Sequence, residues 1–170
     1  MARSLYPRMV AAVLALLGLF DALYLTLNHY LPSVSLVCPV GGGCETVQTS
    51  SWSTLPPGGG IPVALVGVAG YALLLLIALI ALQRDQVGRL ALPTLLLLIA
   101  SGGIGMSVYL VVLQLVVIRA ICFWCMISAL LESGIWIAAW LDWRRWRASS
   151  KTITTGVAHK PIHLAGKHVR

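Results

Sequence analysis

The sequence predicts an all-α integral membrane protein: a four-helix bundle with both termini cytoplasmic and an extracytoplasmic cysteine loop between the first and second helices. Three observations predict it. Hydrophobic residues make up 59% of the 170 and charged residues 10%, with a mean hydropathy of +0.91, more than a soluble core absorbs. Four apolar runs are each long enough to cross a hydrocarbon layer of about 30 Å, which takes roughly 20 helical residues. Lysine and arginine fall almost entirely on one side of those runs.

The runs lie at about 9–28, 61–82, 90–118 and 123–141. They form a single transmembrane domain over 1–147, with an outer loop at 29–60 and a basic, disordered cytoplasmic tail at 148–170. The first run follows Arg3 and Arg8 and so has the outline of a secretory signal. Its apolar region is too long for one, and no convincing small-x-small cleavage site follows it.

Basic residues near helix ends stay cytoplasmic. Arg3 and Arg8 precede the first run, Arg84 and Arg89 separate the second and third, and Arg144, Arg145, Arg147 and Lys151 follow the fourth, while 28–60 holds no Lys or Arg. Arg119 is the exception. A net charge of +7 would point to nucleic acid in a soluble protein, but Trp140, Trp143 and Trp146 interleave with those arginines as an interfacial belt on an anionic leaflet. The partner of the basic residues is therefore the lipid bilayer and not nucleic acid.

All four cysteines, Cys38, Cys44, Cys122 and Cys125, then lie on the extracytoplasmic side, where disulfides persist. They form two local pairs: Cys38 and Cys44 around three glycines, and a C-x-x-C at the start of the fourth run. A cysteine at a helix start is favoured as thiolate, and Arg119, three residues before Cys122, adds to that if its side chain turns inward instead of snorkelling to phosphates. A pliable dithiol near a fixed one suits thiol–disulfide exchange. Two alternatives stay open on spacing alone. Both pairs are static staples, or the four thiolates hold zinc, although the first pair is wider than zinc pairs usually are.

The outer loop after Cys44 is too polar to span. Val47, Trp52 and Leu55 give it one weakly apolar side, with Trp52 as an interfacial anchor or the segment as a roof over a cavity. Asp21 and Glu132 are acids inside the runs, which face the bundle because a charge in lipid is costly. Glu132 stands two helical turns beyond Cys125 on the same face, and hydrogen-bonded packing is the expected role for both acids, a proton relay the alternative. Pro93 and the 101–105 glycine run mark the third helix for a bend or close packing. His159, His163 and His168 lie in the solvated tail; no metal site is expected.

The combination of Tyr24-Leu25-Thr26 and His29, Cys38 and Cys44, Val47 and Ser50, Gly60-Ile61-Pro62 and the C-x-x-C resembles the bacterial vitamin K epoxide reductase family over most of the chain. The resemblance implies a four-helix bundle enclosing a quinone, in the bacterial plasma (inner) membrane, with two electrons passing from a separate periplasmic thioredoxin-like protein to ubiquinone or menaquinone. It implies that Cys38 meets the partner's thiol, that Cys44 exchanges with Cys122, that Cys125 stands next to the quinone ring, and that Ser50 orients the loop or quinone. Ala129 departs from the tyrosine that holds the head group in vertebrate members. The other function classes are a reductase acting mainly on vitamin K epoxide or the quinone, and a non-enzymatic membrane scaffold with structural disulfides.

Overall fold

The computed structural model describes residues 5–31, 37–39, 43–87 and 90–157, with side chains described as far as 149. Four helices are long and apolar enough to cross a membrane. Helix α1 spans Tyr6–Tyr30, opened by Pro7 in its first turn, where the missing N–H costs nothing. After the short α2 (Gly43–Gln48) and a 3-10 turn at Ser51–Ser53, strands β1 (Thr54–Leu55) and β2 (Ile61–Pro62) close a small antiparallel ribbon that leads into α3, Val63–Gln83. Gly60 at the ribbon's bend has φ 125°, and a Cβ there would stand 2.5 Å from the Leu55 carbonyl oxygen, so only glycine fits.

A second ribbon, β3 (Gln86–Val87) with β4 (Leu90–Ala91), joins α3 to α4, Leu92–Val112. The predicted third helix, 90–118, is shortened by two residues at its start and is otherwise continuous to Ile118. Its first two residues are strand, and Pro93 sits in the opening turn of α4 instead of bending it. Its last six, Leu113–Ile118, wind as a π-helix. Arg119 ends that turn in the left-handed conformation, φ 56°, with the Ala120 N–H donating to the Gln114 carbonyl at 3.1 Å.

Helix α5 runs over Phe123–Val157, about 52 Å at 1.5 Å per residue, and so outreaches a bilayer. The helix continues past 147, the expected end of the transmembrane domain, as far as Val157. No proline interrupts that extension, and Gly156 comes only at the end. The three tail histidines and the rest of 158–170 lie outside the described residues. Arg144 stacks on Trp140 and Arg147 on Trp143, each 4.6 Å from the ring centre, cation–π pairs one turn apart.

Helix α1 packs on α3 and α5, and α4 on α5 and α3, so the four close a ring. Small residues let them approach: Ala11, Ala15, Ala78, Ala81, Ala100 and Ala139 are almost fully buried, the packing expected where no water drives association. Leucines and valines such as Leu76, Leu98, Val116 and Leu130 remain exposed, a surface that suits lipid.

At the end of the bundle away from the cysteines, Arg8 is buried. Its Nε donates to both carboxylate oxygens of Asp142 at 2.9 Å, its Nη2 lies 2.9 Å from Asp85 Oδ1, and its Nη1 donates to the Ala81 carbonyl. One guanidinium thus ties α1 to the end of α3 and to α5. It is an internal ion pair and not a solvated flanking charge.

Candidate functional site

The site is assembled at the opposite end of the ring. Cys38 and Cys44 form a disulfide with their Cα atoms 6.0 Å apart, while Cys122 and Cys125 are free thiols. Cys44 and Cys122 are both fully buried in one cluster with Val47, against which Cys38 and Cys125 also pack. All four sulfur residues that the sequence singles out are therefore in one place, with one pair closed and the other open. This second pair is not a closed staple.

Two aromatic side chains hold the segment leading to Cys38. The Val37 N–H donates to Tyr24 Oη at 3.1 Å and Trp124 Nε1 donates to the Val37 carbonyl at 2.8 Å, while Tyr24 and Trp124 meet edge to face at 5.1 Å. On the other side of Cys44, the Ser50 hydroxyl donates to the Val47 carbonyl at 2.8 Å and so closes the turn after α2. Helix α2 is pressed onto the chain before Cys122, where Gly43 meets the backbone of Ile121.

The π-turn explains how Cys122 is held. It swings Gln114, 3% exposed, inward so that its Oε1 accepts the Cys122 N–H at 3.0 Å. Single π-turns of this kind often sit at functional positions. Sequence reading missed Gln114; a lone amide inside the apolar 110–118 run was the available signal. Cys125 Sγ lies 2.8 Å from Cys122 Sγ and donates to it, and the Cys125 N–H points at the same sulfur from 3.4 Å. These donors, the Cys125 thiol first, pull the Cys122 thiol below its ordinary range against the opposing effect of burial. Arg119 is an exposed residue whose left-handed backbone helps turn the chain toward Cys122.

Beneath the thiols lies a cavity of about 360 Å³, within the range of small-molecule sites. Its walls are mostly apolar, from Leu25, Leu74, Ile99, Met106 and Leu110, and Cys125, Ser50 and Gln114 face it from the cysteine end. Trp52 and Ser53 line it too, so the polar outer segment acts as a roof and Trp52 is more than an interfacial anchor. Gly102 and Gly103 of α4 open room for it, which gives that glycine run a cavity-forming role. Ala129 lines it without a hydroxyl. The phenol instead comes from Tyr71 of α3, whose Oη lies 2.8 Å from the Ser128 carbonyl and 2.9 Å from Ser128 Oγ.

Asp21 and Glu132 are buried, 8% and 4% exposed, facing the bundle as expected. Ser128 is the polar side chain beside Asp21, but the contact is not a full hydrogen bond. Neither oxygen of Asp21 nor Oε1 of Glu132 has a hydrogen-bond partner. A flat, largely apolar ring with polar substituents fits this cavity, since the walls bury its faces and hydroxyl, amide, carboxyl and thiol groups stand at separate points on the lining.

Comparison with known families agrees with this construction. The model of the vitamin K epoxide reductase family matches residues 9–140, from the first turns of α1 through both cysteine pairs and most of the membrane length of α5. Its members are oxidoreductases, and this chain, a membrane protein with its four cysteines clustered over an apolar cavity, belongs to the vitamin K epoxide reductase family.

Proposed function

We propose that the protein is a thiol:quinone oxidoreductase that makes disulfides in a separate, thioredoxin-like protein outside the plasma membrane of a bacterium. The observation that carries this reading is the clustering of a closed Cys38–Cys44 pair and an open Cys122/Cys125 pair at the mouth of one apolar cavity. The partner's dithiol reduces Cys38–Cys44 by attack at Cys38, the more exposed sulfur, and leaves as a disulfide. The Cys44 thiolate then attacks Cys122 of the closed Cys122–Cys125 bond and releases Cys125. Cys38 resolves the mixed disulfide by attacking Cys44 and releases Cys122 as thiolate, which leaves the outer pair closed and the inner pair open, the same pairing as in the described structure. Reclosure of the inner pair sends two electrons from Cys125 to a quinone in the cavity, which becomes the hydroquinone.

Within this reading 1–147 is the catalytic unit and Ser50 orients the roof above the quinone. Both termini are cytoplasmic. Arg8 no longer supports that orientation, because its charge is offset by Asp85 and Asp142. Arg84, Arg144, Arg145 and Arg147 still do, all exposed at the end away from the cysteines.

The test uses the purified full chain, a reduced thioredoxin-like protein and a short-chain ubiquinone or menaquinone. One disulfide made per quinone consumed is the expected stoichiometry. Dithiol oxidation without quinone consumption would sink the reading.

A further inference from the structure

Quinone reduction needs protons as well as electrons, and the cavity contains more acid than the cysteine relay uses. Glu132 stands on the same face of α5 as Cys125 and Ser128, seven and four residues on, about 10 Å along the axis from Cys125 at 1.5 Å per residue. Side chains lean toward the helix N-terminus, so its carboxyl reaches back toward Cys125. It lies over Gly103 of α4, where a Cβ would overlap Oε1. Among the described residues no cation pairs with it. An unpaired carboxylate in such a place is costly, and Oε1 lacks a hydrogen-bond partner.

A route for refilling it lies alongside. Ser128 is hydrogen-bonded to Tyr71 Oη and is also the polar neighbour of Asp21. Tyr71 is set in place by Gly18 of α1, since a Cβ there would overlap the phenol ring. Asp21 opens in turn on a second, lateral groove between α1 and α5, bounded by Phe20, Tyr24 and Trp124. Tyr71 is the phenol that both acids neighbour, Asp21 on the groove side and Glu132 on the cavity side. Among the groups that exchange protons, Tyr71 from α3 neighbours Glu132, Cys125 of its own helix shares the cavity lining with it, Asp21 from α1 neighbours Tyr71 and Ser128, and α4 meets Glu132 with Gly103.

Resting on the quinone reading above, we infer that Glu132 is the acid that protonates the quinone oxygen remote from Cys125, and that Asp21, Ser128 and Tyr71 return a proton to it from the lateral groove. The balance closes. As the inner pair forms its S–S bond, the quinone accepts two electrons, one proton from the Cys125 thiol and one from Glu132. Glu132 regains its proton through the hydroxyls from Asp21, and Asp21 regains one from solvent at the Tyr24 and Trp124 end of the groove, beside the cysteine loop. The proton that Cys122 lost on becoming a thiolate has already left to solvent.

The test is single-turnover mixing of the protein, its inner pair reduced, with a short-chain ubiquinone, alongside infrared difference spectra of carboxyl C=O bands. In the native protein, quinone binding should shift a carboxyl band that Glu132→Gln removes. Glu132→Gln, nearly isosteric, should slow the single turnover about 100-fold, as loss of a general acid does, while exchange between the two cysteine pairs keeps its native rate. Asp21→Asn should slow steady-state turnover more than the single turnover, and it remains decisive should Glu132→Gln fail to fold. Native single-turnover rates in Glu132→Gln with an unchanged carboxyl band, or Asp21→Asn slowing both regimes equally, would overturn the inference and leave the quinone reading intact. Native protein that fails to reduce the quinone would instead defeat that reading.

Discussion

Gly43 lies so close to Ile121 that a Cβ on it would stand 2.5 Å from the Ile121 carbonyl oxygen and 3.0 Å from its amide nitrogen. The next residue in each chain segment is a cysteine, Cys44 and Cys122, and both are fully buried in the same cluster. The glycine thus sets the distance between the two redox pairs. Backbone on both sides of the contact cannot swing away as a flexible side chain would. Gly43→Ala should therefore push α2 off the chain before Cys122 and slow exchange between the pairs by about tenfold or more, the scale expected when a reacting group is displaced by around 1 Å. Trapping a Cys44–Cys122 bond with a fixed concentration of a small-molecule thiol oxidant in a Cys38→Ser, Cys125→Ser background, with and without Gly43→Ala, checks it. Equal trapping rates would show that the contact is incidental.

The Cys125 thiol donates to Cys122 Sγ at 2.8 Å, and that donor is the main reason that the Cys122 thiol is depressed. A lowered pKa means that Cys122 is a thiolate, and open to alkylation, at lower pH than a free thiol near 8.5. Removing the donor with Cys125→Ala should move the alkylation midpoint of Cys122 upward. The Cys125 N–H, a backbone group that points at the same sulfur, survives the substitution and keeps part of the effect. The same variant should lose quinone reduction altogether, because no second sulfur remains to close the inner bond. A downward shift, or native turnover, would contradict the assigned roles.

Hydropathy and charge are local properties, so the four spans and the two cysteine pairs were legible in the chain. The contacts that make them a site are not local. Gln114 and Cys122 are eight residues apart, but they meet because a π-turn and a left-handed Arg119 reverse the chain between them, and no periodicity announces that. The loop glycines suggested pliability, whereas Gly43 is required for close approach. Asp21 and Glu132 stood out by charge alone. Their unpartnered oxygens could be seen only once the helices around them were in place. Arg8 read as an orientation signal because Asp85 and Asp142 are far away in sequence.

Gln114 offers a test confined to stability. Its Oε1 is the acceptor for the buried Cys122 N–H, and Gln114→Leu leaves that donor unpaired at a cost of about 1–3 kcal/mol. For a chain of this size each kcal/mol lowers Tm by roughly 2–4 °C. Gln114→Glu retains an oxygen acceptor and should lose less. Thermal unfolding of both variants in one detergent orders them, and a Gln114→Leu protein as stable as the parent would remove Gln114 from the frame that holds Cys122.

The Arg8 ion pair makes the last prediction, and it concerns the end of the bundle remote from the chemistry. Arg8 and Asp142 are 5% exposed each, and the guanidinium also reaches Asp85 and the Ala81 carbonyl. Breaking such a pair from one side leaves a buried charge unpaired, which costs about 3–5 kcal/mol, whereas replacing both partners with apolar residues is often nearly neutral. Arg8→Met should therefore destabilise strongly because it strands Asp142 and Asp85 together, and Asp142→Leu should do so less, since Asp85, with 30% of its side chain exposed, still partners the arginine. The double variant Arg8→Met/Asp142→Leu should recover part of the Arg8→Met loss. Because the pair lies at the far end of α5 from Cys125, the surviving folded protein should keep its exchange rate between the cysteine pairs. Additive losses in the double variant would mean that the two side chains act independently, contrary to the contact of Arg8 Nε with both carboxylate oxygens.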